Sequence, residues 1–392
     1  MTRVIEDLDD TALRARASIK WDLAEPDVLP AWVAENDFAP APPVQQAVAE
    51  AVARGAFGYP TVDERTGLPE ATAQYCASAW GWHVDPGRVL LSGDVMAGVR
   101  LVLETLCEKA PVVVPTPAYP PFLDVVPLTG RELVTVPLDP DAERAVLDLD
   151  QVEAELAAGA RTVLLCNPHN PWGRAFTAEE LTGLRDVVTR YGARVVSDEI
   201  HAPLVLPGAQ HVPYASLPGT TEHTTTVLSA SKAFNVPGLK CAQVVCGSAE
   251  DHTALRRVPV VANHGVSPLG IVANTAAWAE GGPWLAALIE RLDANRGLLE
   301  HLVAEHLPGV RMRRIEATYL AWLDVRALDL PASPAATALD RGRVMVNDGL
   351  AFGPGGQGHV RLNTATSPER LTEAVHRLAR AWYGDGRSVS AR

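Results

Sequence analysis

Short apolar runs recur along the middle of the chain, at residues 89–91, 112–114, 132–136, 162–165, 194–197, 225–228 and 242–246. They are rich in Val, Leu and Ile and do not alternate with polar residues, the pattern of strands buried on both faces. Stretches of helical period fall between several of them, most clearly at about 95–108, 150–158 and 177–191. Strands alternating with helices predict an α/β protein built on a mainly parallel sheet. Further on, Leu285, Leu288, Ile289, Leu292, Leu299 and Leu302 predict a long helix over 284–306. A strand-like stretch over 310–325 and a helix at about 367–383 follow, so the last third reads as a separate α+β unit. Residues 1–40 read as irregular, punctuated by Trp21, Pro26, Pro30, Trp32 and Pro40. Pro42 and Pro43 then open a helix over 42–54. The tail from Gly384 is polar and is expected to fray. Neither an internal repeat nor a low-complexity linker interrupts the pattern.

Composition narrows the possible roles. With 392 residues the chain is long enough for two units around a large core. Hydrophobic content of 47% and charged content of 21% are ordinary for a soluble enzyme. A net charge of −13 disfavours nucleic acid as the main partner, yet leaves room for a local cationic pocket that holds a small anion. No apolar stretch approaches the roughly 20 residues needed to span a bilayer. Residues 1–10 are acidic and lack a hydrophobic signal core, so a cytoplasmic protein is expected. Cys76, Cys107, Cys166, Cys241 and Cys246 lack metal-ligand spacing, which predicts reduced thiols and no structural metal.

The candidate chemistry starts from a scarcity. Only four lysines occur: Lys20, Lys109, Lys232 and Lys240. Arginine supplies the other cationic side chains, so a retained lysine points to a need for an amine. Lys232 lies in Ser229-Ala230-Ser231-Lys232-Ala233-Phe234-Asn235, just past a strand-like run and 34 residues beyond Asp198. A primary amine forms a Schiff base with an aldehyde and a guanidinium does not, which suggests pyridoxal phosphate. Such a cofactor needs an amine, a carboxylate facing its ring nitrogen, donors for its phosphate and a flat partner for its ring. Asp198 closes a buried run, where strand ends open into the ligand crevice of an α/β sheet. A carboxylate there keeps the ring nitrogen protonated; a plain helix-capping Asp is the alternative. The loop Cys166-Asn167-Pro168-His169-Asn170-Pro171-Trp172-Gly173-Arg174 holds two Asn-Pro pairs, and the Asn170 amide can donate to the ring oxygen. A plain Asn-Pro turn is its alternative.

Those three segments, in this order, resemble fold-type I pyridoxal phosphate enzymes of the aminotransferase class I/II superfamily. Asp198-Glu199-Ile200-His201 and Ser231-Lys232-x-Phe234-Asn235 are similar to the MalY/PatB branch of cystathionine β-lyases, which are carbon–sulfur lyases. Trp21-Asp22, the stretch from Leu29 to Phe38, Phe57-Gly58-Tyr59 and Val360-Arg361-Leu362-Asn363 match that branch too. The resemblance covers about residues 20–383. It implies a large α/β cofactor domain over 46–280, a small α+β domain over 281–392, and an N-terminal segment, 1–45, that joins the small domain. It implies that Tyr119 stacks on the ring and that the backbone amides of Asp94 and Val95 meet the phosphate, with the Asp94 carboxylate turned away. Ser229, Ser231 and Lys240 would complete the phosphate site. Tyr59 would reach the phosphate of a neighbouring subunit, which implies a homodimer with shared active sites. Arg361 would bind the substrate α-carboxylate, and His201 would contact the cofactor or support Asp198. Asn36 and Trp172 depart from the branch pattern at positions that border the substrate region.

The expected activity is α,β-elimination on a cysteine S-conjugate, giving a thiol, pyruvate and ammonia. An aminotransferase on the same scaffold is the main rival. A lyase or oxidative deaminase acting on a bulky cysteine conjugate is a narrower one. Some relatives of this branch interact with transcription factors, and a regulatory role belongs to a different class. The loop Gly353-Pro354-Gly355-Gly356-Gln357-Gly358 lacks the strand–helix context of a dinucleotide site and reads as a flexible loop.

Overall fold

The computed structural model describes residues 5–139, 141–330 and 333–384. Thirteen strands are present among them: β1 Leu29–Pro30, β2 Val89–Ser92, β3 Val112–Thr116, β4 Leu133–Pro137, β5 Thr162–Cys166, β6 Arg194–Asp198, β7 Thr224–Leu228, β8 Ala242–Cys246, β9 Arg311–Met312, β10 Leu320–Asp324, β11 Val344–Met345, β12 Asn347–Asp348 and β13 His359–Asn363. Each of the seven apolar runs between 89 and 246 is a strand. They form one sheet in the order β2-β8-β7-β6-β5-β3-β4. Strands β3 to β7 are parallel, and β8 runs antiparallel to both β7 and β2. Every residue of β2, β3, β5, β7 and β8 is buried, because helices cover both faces. The edge strand β4 is partly open, and β6 is buried except at Arg194.

The helices Val95–Leu106, Pro120–Leu128, Leu149–Ala158 and Ala178–Arg190 make the crossovers. Their starts are encoded locally. Asp94 and Asp148 accept the N–H three residues ahead, and Thr177 with Glu180 forms a reciprocal capping box. Parallel strands joined by helices bring their carboxyl ends to one edge of the sheet. The segments after β3, β5, β6 and β7 therefore open side by side, and they carry Tyr119, Asn170, Asp198 and Lys232.

The remaining strands form a four-stranded antiparallel sheet, β12-β13-β10-β9, and a short parallel pair, β1-β11. Leu29 pairs with Val344, so the N-terminal segment is stitched to the C-terminal third. The helices Gly282–His306 and Pro368–Tyr383 pack together across this part of the molecule.

Two expectations fail for physical reasons. Residues 1–40 are not wholly irregular: short helices form at Asp10–Ala15 and Ile19–Asp22. Two turns or fewer give little periodic signal, and the second is held by the buried ion pair of Lys20 with Asp37 at 2.8 Å. The stretch 310–325 is not one strand, since only β9 and β10 form there. The amides of Glu316 and Ala317 donate to Gly173 O instead, and Thr318 takes φ +70°. The helix Pro268–Glu280 carries no sequence signal because it is apolar on several faces. The end of the tail, 385–392, lies outside the described residues. All five cysteines are free and buried. No helix among the described residues is long and apolar enough to cross a membrane.

Candidate active site

A cavity of ≈ 170 Å³ opens at the strand ends, walled by Ala34, Asp94, Tyr119, Asn170, Asp198 and Lys232 among others. Lys232 stands on the loop after β7, partly buried, and its Nζ donates to Ala34 O at 3.1 Å. Burial and the nearby Arg361 guanidinium push its amine down to about 8. Asp198 ends β6 and is buried. Its Oδ1 accepts the Ile200 N–H at 3.0 Å, which leaves Oδ2 for a ligand. Burial, with the adjacent Glu199 carboxylate, pushes Asp198 up to about 7. Such a group gains strongly from a cation placed opposite it. Glu199 itself faces the interior, where Ser197 Oγ donates to it at 2.8 Å, Tyr214 N–H donates at 3.0 Å and His211 Nε2 lies at 2.9 Å.

Asn170 follows β5. Arg361 Nη1 donates to its Oδ1 at 2.9 Å, which orients the amide so that its NH₂ is the free donor. Tyr119 lies at the start of the helix Pro120–Leu128 and lines the cavity. Burial and Asp198 hold its phenol proton more tightly than usual. His201 lines the same cavity, and its buried Nδ1 has no partner among the described residues. Burial, Lys232 and Arg361 push the ring down to about 3, so it is neutral.

At the other end of the cavity stands the N-terminus of the helix Val95–Leu106. The Asp94 carboxylate does not turn away as expected. Its Oδ1 accepts the Ala97 N–H at 2.8 Å, and its Oδ2 pairs with Lys240 Nζ at 2.8 Å. Unpaired helix amides and a lysine are stronger partners for it than solvent. Val95, Ser231 and Lys240 line the cavity there. Ser229 does not. Its hydroxyl donates to Cys241 O at 2.8 Å and its oxygen accepts the Ser231 N–H at 3.1 Å, so it shapes the lysine loop from beneath.

Arg361 projects from β13 and is buried. It donates to Asn170 Oδ1, to Asn347 Oδ1 at 2.7 Å and to Trp32 O at 3.3 Å. Tyr59 is fully exposed and lies outside the cavity of its own chain. Two expected substrate contacts are elsewhere. Trp172 packs in the core with Trp322 and Phe352, with the Arg313 guanidinium 4.3 Å from its ring centroid. A large apolar ring is stabilised more by that burial than by a place on a polar cavity wall. Asn36 is buried too. Its Oδ1 accepts the Phe38 N–H, and its backbone N–H and C=O pair with the Asn235 side chain at 3.0 and 3.1 Å.

Several site residues carried no expectation. Met96, Cys166, Ile200, Pro237 and Cys241 form apolar walls. Asn347 reaches Arg361 only through the pairing of β12 with β13. Asn363 sits inside a recognised string, and its Nδ2 clamps Val33 O and Glu35 O at 2.6 Å each, fixing the segment whose Ala34 carbonyl holds Lys232. Amine, carboxylate, amide donor, aromatic wall and a helix N-terminus beside a lysine all face one space. The unpartnered Nδ1 of His201 leaves a polar position for a ligand to fill. This donor set fits pyridoxal phosphate.

The family model for aminotransferase class I and II matches residues 31–378. Cystathionine beta-lyase from Corynebacterium glutamicum is 38% identical over 373 residues, covering 94% of this chain and 97% of its own length. Cystathionine beta-lyase PatB from Bacillus subtilis is 33% identical over 377 residues, covering 93% and 96%. The structure of the PLP-bound C-S lyase from Staphylococcus hominis superposes with a TM-score of 0.90 at 26% identity, covering 97% of this chain and 99% of that one.

Proposed function

The chain belongs to the aminotransferase class I and II family, and from that premise we propose that it is a pyridoxal phosphate-dependent carbon–sulfur β-lyase acting on cysteine S-conjugates. The observation that carries the reading is the meeting of Lys232 and Asp198 on one cavity, with Arg361 hydrogen-bonded to Asn170 of its wall, in a chain similar over nearly its full length to cystathionine β-lyases. When bound, the cofactor supplies an aldehyde for an amine and a ring that withdraws electrons from the carbon beside that amine.

The residues then divide the work. Lys232 would hold the cofactor covalently, and Asp198 would face its ring nitrogen. A cation opposite Asp198 would draw the pKa of this carboxyl back down, and the charged pair would keep the ring electron-poor. The Asn170 NH₂ would donate to the ring oxygen, and Tyr119 would lie against the ring. The N-terminus of the helix Val95–Leu106, Ser231 and Lys240 would receive the phosphate. Arg361 would bind the α-carboxylate of the substrate and so orient the bonds at Cα. Once the amine of the substrate has taken its place, the freed Lys232 amine takes the Cα proton as general base, and its lowered pKa leaves more of it unprotonated near neutral pH. The β-carbon–sulfur bond breaks with its electron pair going to sulfur, and the ammonium of Lys232 returns a proton to the departing thiolate. Water converts the remaining three-carbon fragment to pyruvate and ammonia. We also propose a homodimer in which Tyr59 reaches the phosphate site of the other subunit.

The purified protein incubated with L-cystathionine and with S-alkyl cysteines tests this. Thiol, pyruvate and ammonia should appear in equal amounts without a second substrate. A 2-oxo acid that forms only when an amino acceptor is added would mark an aminotransferase instead.

A further inference from the structure

The partners of Arg361 differ in kind from those of other buried arginines in this chain. Arg174 pairs with Glu180 and Glu316, and Arg296 pairs with Asp293. Arg131 is satisfied by three backbone carbonyls, through Nε, Nη1 and Nη2. Arg361 meets two side-chain amide oxygens and one carbonyl, and its buried Nε has no partner. No carboxylate pairs with it among the described residues, although Asp348 is the next residue after Asn347. Strand alternation sends Asp348 to the opposite side, where it accepts the Leu350 N–H and a short hydrogen bond from Ser333.

We propose that Asn347 is a positioning residue for substrate recognition: it aims the Arg361 guanidinium without neutralising it, and so reserves that charge and the free Nε–H for the substrate α-carboxylate. Three features support this. Asn347 lies directly opposite Arg361 in the β12–β13 register, and its 2.7 Å contact is the shortest that Arg361 makes. Asn170 holds the other arm, so the guanidinium plane is fixed at two points before substrate arrives. A carboxylate at 347 would satisfy the same geometry but would compete with the substrate, since a buried arginine paired to an acid has little net charge left to offer. The inference rests on the proposed role of Arg361 and adds to it the reason for a neutral partner.

The test uses the holoenzyme and two isosteric variants, Asn347→Asp and Asn347→Leu. L-Alanine, which has no group to eliminate, and ethylamine, its counterpart without a carboxylate, are titrated against the absorbance of the bound cofactor. Wild type should prefer L-alanine. That preference should fall roughly 30-fold or more in Asn347→Asp, through the competing charge, and roughly tenfold in Asn347→Leu, through lost aim. Ethylamine affinity should move in neither. With a thioether substrate the loss should appear mainly as a raised KM. An Asn347→Asp protein that keeps the wild-type preference, or variants whose loss sits in kcat with KM unchanged, would overturn the inference. Cofactor content and circular dichroism establish folding. If Asn347→Asp does not fold, Asn347→Leu decides alone, and an unchanged preference there overturns the inference. A wild type that shows no preference for L-alanine removes the role of Arg361 and this inference together.

Discussion

Lys232 becomes reactive through its surroundings more than its scarcity. An ordinary lysine holds its proton to about 10.4, whereas burial and Arg361 push this one down to about 8. Only the neutral amine attacks an aldehyde, so cofactor uptake should rise as pH increases through 8 and level off above 9. Stopped-flow absorbance of the cofactor-free protein mixed with pyridoxal phosphate measures this. A rate still climbing steeply between pH 9 and 10 would count against it. Asp94 allows a second prediction at this scale. Its carboxylate occupies both the helix amides and Lys240, the groups assigned to the phosphate. Asn keeps the helix cap and removes the charge. Asp94→Asn should therefore bind pyridoxal phosphate severalfold more tightly and pyridoxal no differently, as equilibrium dialysis of both can show.

At the scale of elements, the segment around residues 31–38 bounds the site and has little regular structure of its own. It is held from outside: Asn363 clamps two of its carbonyls, Tyr319 Oη donates to Ala34 O at 3.0 Å, and Asn235 brackets Asn36. Its far end depends on Lys20, which is buried, donates to Glu35 O and pairs with Asp37, whose Oδ1 also accepts from Trp21 Nε1. Replacing Lys20 by Met leaves a buried carboxylate without its cation and should cost about 3 kcal/mol in denaturant unfolding. Adding Asp37→Leu should restore most of that loss. A single variant as stable as wild type would show that the pair contributes no net stability.

At the scale of the whole molecule, two exposed apolar segments flank the same strand. Phe57 and Tyr59 precede Asp63, which accepts the Leu91 N–H, and Val260 and Val261 precede Asn263, which donates to Leu91 O. Exposed apolar residues in one region are a common mark of an interaction surface, which agrees with the proposed homodimer. Tyr59→Ala and Lys232→Ala each disable a different half of a shared site. Mixing the two variants under conditions that exchange subunits should regain about a quarter of wild-type activity, because half the dimers are hybrids and each hybrid has one intact site. Activity that stays at the average of the separate variants would argue that each chain completes its own site.

What the linear order of residues determined by itself was the layered sheet and the positions of its reactive groups. The buried strands announce themselves by continuous apolar runs, and parallel topology sends the loop after each strand to one edge, so Asn170, Asp198 and Lys232 could be read as neighbours, with Tyr119 added by the family resemblance. These signals are local, spanning a strand and the turn after it. Tertiary structure alone decided what each group touches. Arg361 meets Asn170 from 191 residues away, and Lys232 meets Ala34 from 198 away. The same packing drew Trp172 and Asn36 into the interior, turned Ser229 beneath the lysine loop and set the Asp94 carboxylate against Lys240. Side chains far apart in the chain are brought together by the closing of the core, and no local pattern encodes that geometry.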